Sequence, residues 1–263
     1  MRIMKDPGHG GSDPGAMANG LVEKDLNLQL AQLAAKALAK LSEGYVDKQG
    51  QSVEIRLTRD KDETLSQSER LRRIAAFNPD ICVSVHFNSA TNAQATGTEV
   101  FHAAKDSRDD QLADLLIKHL AKTGMPSRGT KTRSTSAGED YYYIIREVMD
   151  HDTISVLLEG AFLTNSDDAK RIKDGWISQA AEAVAQAVFD CIKPQLKKGK
   201  PVVAKQPIMI EAIPTLTHFE DKSYESYIIK GVTHTPVRGI SESNGLLVGY
   251  DADSKETTLK RRR

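Results

Sequence analysis

Short apolar runs of strand length alternate with helix-patterned segments over the first 192 residues, and this alternation leaves few folds open. Strand candidates lie at 1–5, at 53–57 where Val53, Ile55 and Leu57 alternate, at 81–86 (ICVSVH), and at 98–102, 141–145 and 154–158. Between them Leu26, Leu30, Leu33, Ala37 and Leu41 recur at helical spacing, with Gly44 placed to close the helix. Ser66 and Glu69 form a capping-box pattern ahead of Leu71, Ile74 and Ala75. Leu112, Leu115, Leu116, Ile117 and Leu120 mark a third helix, Ser166 caps a short one, and 177–192 is a long Ala-rich one. Strands that alternate with helices predict an α/β fold, a mostly parallel sheet with helices on both faces.

The pattern changes near Lys197. The stretch LKKGKPVVAKQP is Lys-rich and holds Gly and Pro, so 197–206 reads as a linker between a domain at 1–196 and a small α+β module at 207–263. Strand-like runs in that module lie at 208–213, 227–229, 246–250 and 257–259, with a short helix expected at 236–244. Lys plus Arg and Asp plus Glu number 36 each, which excludes a nucleic-acid binder working by bulk charge. Cys82 and Cys191 sit in separate apolar stretches and read as buried thiols, with neither a disulfide framework nor a zinc knuckle implied. No run is long and apolar enough for a membrane span. Met1 leads directly into the first strand candidate without a signal-peptide pattern, so the expectation is a chain made in the cytoplasm and released by other means.

The loop DPGHGGSDPGA, residues 6–16, is too rich in Gly and Pro for a helix or strand interior. It lacks the Gly-Lys-Ser/Thr ending of a phosphate cradle, which leaves His9 as its chemistry-bearing group. In open α/β sheets, sites collect at the carboxyl ends of strands. His9 follows the first strand, His86 ends ICVSVH in the phrase SVHFNSA, Glu159 ends ISVLL in LLEGAFLTN, and Glu23 opens the first helix. Four metal-binding or acid–base groups therefore fall on one rim. Local alternatives stand beside them. Glu23 also suits a helix N-terminus, and Glu159 also reads as a structural partner for an arginine such as Arg146. Asp13 reads first as a turn residue, Asn88 is a candidate to orient a ligand or substrate, and His102, ending a strand beside Phe101, is the best spare site histidine.

The phrases DPGHGGSDPGA, GLVEKDLNL, SVHFNSA, GTEVF and LLEGAFLTN, in this order, resemble the zinc-dependent N-acetylmuramoyl-L-alanine amidase family of phage endolysins and bacterial autolysins, over roughly 1–192. The resemblance implies Zn2+ held by His9, Glu23 and His86, with Glu159 as the catalytic carboxylate. It implies hydrolysis of the amide between N-acetylmuramic acid and L-alanine in peptidoglycan. Three protein ligands would leave a fourth position for water, and Glu159 would move the protons. With no signal peptide expected, the implied setting is a phage endolysin that reaches the wall after holin-mediated or lytic release. Two alternatives remain: a zinc peptidase cutting within the stem peptide, and a non-catalytic wall-binding protein. The phrase GVTHTPVRGISESNGLLVGYDADSKETTL resembles, more weakly, the repeat named for the N-terminal stalk of copper amine oxidases, through Pro236, Arg238, Glu242, Gly245, Val248, Asp251 and Thr258. From it follows an expected role in wall binding or homodimer formation.

Overall fold

The structure is a computed structural model that describes residues 1–104, 107–149 and 153–200, and the backbone of five strands between 213 and 261. The chain divides into two compact units, Met1–Val202 and Val203–Arg263.

The first unit is built on a six-stranded sheet of β1 (Arg2–Pro7), β5 (Glu54–Leu57), β6 (Ile81–Asn88), β7 (Thr98–His102), β8 (Ser127–Lys131) and β9 (Ile154–Phe162), in the order β5-β1-β6-β9-β7-β8. The first four strands in that order run parallel. β7 then runs antiparallel to β9 and parallel to β8, so the last two strands are reversed as a pair. Two short hairpin strands, β2 (Met17–Ala18) and β3 (Leu21–Val22), precede α1 (Glu23–Leu41), and β4 (Tyr45–Val46) follows it. The other helices are α2 (Gln67–Phe77), α3 (Ser107–Leu120), α4 (Tyr143–Met149), α5 (Ser166–Arg171) and α6 (Ile177–Ile192). Lys197–Lys198 form β10, which pairs with β4, so the start of the stretch read as a linker lies along the first unit.

Side-chain alternation on the strands feeds two cores. Ile3, Val83, Val85, Val156 and Leu158 join buried residues of α1, α3 and α6 on one face. Met4, Cys82, Phe101 and Leu157 join Ile74, Phe77, Ile144, Ile145 and Val148 of α2 and α4 on the other. Both faces are therefore covered by helices, as a mostly parallel sheet requires.

Three local expectations change. Tyr141 to Ile145 read as a strand because Tyr and Ile favour extended backbone, yet α4 begins at Tyr143. Ile144, Ile145 and Val148 are each at most 2% exposed, and helical spacing is what turns all three onto the sheet. α5 is capped by Asn165, whose side chain accepts from the amides of Asp167 and Asp168, one residue before the expected Ser166. Ser66 does accept from Glu69 N, but the Glu69 carboxylate turns away to Arg72 and Arg73, leaving half a capping box.

In the second unit β11 (Ile213–Phe219), β12 (Lys222–Ile229) and β13 (Val232–His234) form an antiparallel sheet. β14 (Leu246–Asp251) pairs with β15 (Glu256–Arg261). The helix expected at 236–244, and most of the strand expected at 208–213, lie outside the described residues.

Candidate metal centre

The site sits where the parallel strands end, on the α2 and α4 side of the sheet. His9 lies in the loop after β1, with φ of 57°, a left-handed conformation uncommon outside glycine. Its backbone is held by two buried arginines from across the rim. Arg70 donates to Pro7 O at 2.8 Å and His9 O at 3.0 Å. Arg59 donates to Pro7 O at 3.1 Å, and to Gly8 O and Lys24 O at 2.8 Å each. Arg70 also pairs with Asp6 at 2.6 Å, while Thr58 and Ser84 donate to the same carboxylate at 2.6 and 2.7 Å. Burial would push the Asp6 carboxyl up, but the Arg70 charge and these hydrogen bonds hold it below the usual range.

Two glycines in the loop are required by close approach. A Cβ on Gly8 would collide with the His86 imidazole. A Cβ on Gly15, at φ 66°, would lie 2.5 Å from Glu23 Oε2 and 2.7 Å from His9 Cδ2.

These constraints bring three potential ligands together. Atoms of His9, Glu23 and His86 lie within 4.8 Å of one another. Glu23 Oε1 is 3.1 Å from His9 Nε2 and 2.9 Å from His86 Nδ1. Glu23 is 4% exposed, and its Oε2 accepts from Ala16 N at 2.8 Å. Burial works to raise this carboxyl, yet hydrogen bonds from His86 and His9 outweigh it and hold the group far below its usual range. Asp13 Oδ2 lies 2.8 Å from His9 Nδ1, while its Oδ1 accepts from Gly15 N. Asp13 therefore shapes the turn and also orients the ring, presenting Nε2 to the centre. Burial would lower His9, but Glu23 and then Asp13 raise it. Two imidazoles and an ionised carboxylate converging from three segments form a donor set suited to zinc.

Glu159 enters from the neighbouring strand, directly opposite His86 in the β6–β9 register. Its Oε2 is sealed from solvent and has no hydrogen-bond partner among the described residues. Burial first, and then the negative charges of Glu23 and Glu99, push its carboxyl well above the usual range. Arg146 is engaged elsewhere, with Glu147 and with Asp140 O, so it is not the partner of Glu159. A cleft of about 310 Å3 opens over these groups, lined by His9, His86, Glu159, Arg70, Tyr142 and Tyr143 among others.

His102 does not reach this rim. Because β7 is antiparallel to β9, His102 pairs with Val156 near the start of β9, and its ring meets Asp110. The start of β7 faces the site instead. Glu99 sits opposite Glu159 and accepts from Asn88 Nδ2 at 2.8 Å, which is where the Asn88 side chain is committed. The sequence pattern does not mark Glu99, Arg59 or Arg70 as neighbours of the site. Glu99 carries a signal, as the one charge in the strand-like TEVF run.

The chain matches the family described as N-acetylmuramoyl-L-alanine amidase over residues 3–192. It is 29% identical over 205 residues to the endolysin of Bacillus phage SPP1, covering 75% of this chain and 68% of that protein. It is 31% identical over 191 residues to the N-acetylmuramoyl-L-alanine amidase LytC of Bacillus subtilis, covering 72% of this chain and 34% of LytC. Among solved structures, the amidase AmiC2 of Nostoc punctiforme superposes with a TM-score of 0.61 at 26% identity, covering 73% of this chain and 97% of AmiC2. With fold, rim and family match in agreement, the chain belongs to the N-acetylmuramoyl-L-alanine amidase family of peptidoglycan amide hydrolases.

Proposed function

We propose that the first unit is a zinc-dependent amidase that separates N-acetylmuramic acid from the L-alanine of the stem peptide. The observation that carries this reading is the convergence of His9, Glu23 and His86 beside Glu159, whose Oε2 is buried without a hydrogen-bond partner. His9 Nε2, Glu23 and His86 Nδ1 would hold the ion. When bound, zinc supplies a positive charge that polarises the substrate carbonyl and favours ionisation of water. Glu159 takes the proton of the attacking water on its carboxylate and gives it to the alanine nitrogen as the C–N bond breaks. Its raised affinity for protons suits a group that must hold one between the two transfers. Asp13 fixes the His9 ring, and Arg59 and Arg70 fix the loop beneath it.

The likeness to a phage endolysin supports a lytic role on the bacterial wall; release by a holin or by lysis is part of the same proposal. Among the described residues no helix is long and apolar enough to cross a membrane. For the remainder of the chain the proposal is a separate module from residue 207, joined through 197–206, that retains the enzyme on insoluble wall or pairs two chains.

Mass spectrometry of defined muropeptides tests the bond cut. The expected products are free N-acetylmuramic acid and a peptide with an L-alanine N-terminus. A fragment shortened within the peptide would replace this reading with a stem-peptide peptidase. No cleavage, together with retained wall binding, would make the protein a binder.

A further inference from the structure

From Glu99 at the rim, a strip of positive charge that the hydrolytic step does not use leads along β8 away from it. β8 and the turn after it supply Arg128, Lys131 and Arg133. Arg128 Nε and Lys131 Nζ both donate to Glu99 Oε2, at 2.6 and 2.5 Å. The Glu99 side chain is 5% exposed, while those of Arg128 and Lys131 are 36% and 35% exposed. The Arg128 guanidinium also lies over the Phe162 ring at 4.9 Å, and that of Arg133 over the Tyr141 ring at 3.7 Å. One buried carboxylate thus anchors two cations, and a third is braced by an aromatic ring. Among the described residues, Glu99 is the only carboxylate paired with any of the three. The strip keeps a surplus of positive charge in held positions, an arrangement suited to a planar anion. It borders the cleft: the Tyr141 ring under Arg133 meets the Tyr142 ring at 5.2 Å, and Tyr142 lines the cleft.

Resting on the amidase reading above, we propose that Arg128, Lys131 and Arg133 form a subsite for a carboxylate of the stem peptide. Neighbouring strands lie about 4.8 Å apart, which puts β8 roughly 10 Å from β9. An extended peptide advances about 3.3 Å per residue, so the carboxylate belongs to the second or third stem residue beyond the scissile amide. The three cations then set specificity: they select stems that keep this group ionised over stems in which it is a carboxamide.

The test uses the full chain loaded with zinc and two synthetic muropeptides that differ only in carboxylate against carboxamide at that residue. The parent should favour the carboxylate by about tenfold in kcat/KM, the scale of one charge-assisted contact at a half-open site, with most of the difference in KM. Arg133→Gln leaves the Glu99 pairings in place, and it should bring the ratio toward unity. Lys131→Gln should do the same, and Lys131→Arg should restore the preference. A parent indifferent to the change, or variants that slow both substrates alike, would overturn the subsite while leaving the amidase intact. Failure of the parent to cut either peptide would remove the amidase reading and the subsite with it.

Discussion

The two halves of the sheet reach the same rim in opposite senses and equip it with opposite charge. The parallel half, β5, β1, β6 and β9, arrives with its carboxyl ends and contributes His86 and Glu159 directly, and His9 through the loop after β1. There a buried carboxylate is surrounded by imidazoles, and the loop carbonyls are gripped by Arg59 and Arg70. The reversed pair, β7 and β8, brings the start of β7 to the rim, where Glu99 serves as an anchor for Arg128 and Lys131. The difference teaches a division of labour. The parallel half concentrates potential donors for a cation beside the Glu159 carboxylate. The reversed pair turns one carboxylate into a support for positive charge.

If that division is right, damage to the parallel half should have the larger effects. His9→Ala or His86→Ala is expected to abolish hydrolysis and lower zinc content, read by elemental analysis. Full zinc occupancy in the double variant would break the assignment of the centre. Next in size, Glu159→Gln should keep fold and zinc while turnover falls by about two orders of magnitude or more. Loss of zinc in this variant would exchange the roles of Glu159 and Glu23.

Arg70→Ala should act on stability, because it strands Asp6 as a buried, unpaired charge at a site 1% exposed. The expected loss is about 3–5 kcal/mol in urea unfolding at neutral pH. Because the folded Asp6 carboxyl lies below its ordinary 3.8, its favourable contribution is complete above that value and fades as pH falls through the lower, folded one. The gap between parent and variant should therefore narrow in acid. A gap that widened in acid would mean that Arg70 acts through other contacts. The smallest effect belongs to His102→Ala, which should change kcat/KM by less than about twofold, because the ring lies at the far end of β7 against Asp110. A large loss would mean that the reversed pair enters the chemistry after all.

How much of this could be seen in the sequence follows the same division. The parallel half was legible because His86 and Glu159 end apolar runs and His9 follows the first strand, and a strand's carboxyl end is a local property. The reversal of β7 is not local. TEVFH reads alike in either direction, so His102 drew attention and Glu99 did not. Arg59 and Arg70 escaped for another reason. Most of the carbonyls they grip lie 35 to 63 residues away, and within ERLRRI Arg70 looks like any solvated helix residue. Three tyrosines disguised α4 as a strand, and only the sheet beneath it decides otherwise.

The converging ligands have a further consequence. His9, Glu23 and His86 belong to a loop, a helix start and a strand end, the first two close along the chain and the third distant. An ion shared by the three would act as a removable cross-link, closing one short and one long loop that the unfolded chain leaves open. Folding and metal uptake then become linked equilibria, and the unfolding temperature becomes a gauge of free zinc, rising with RT ln(1 + [Zn]/Kd) and falling on chelation. An enzyme tied in this way is also timed by its surroundings: its resistance to unfolding and to proteases rises and falls with the zinc it meets.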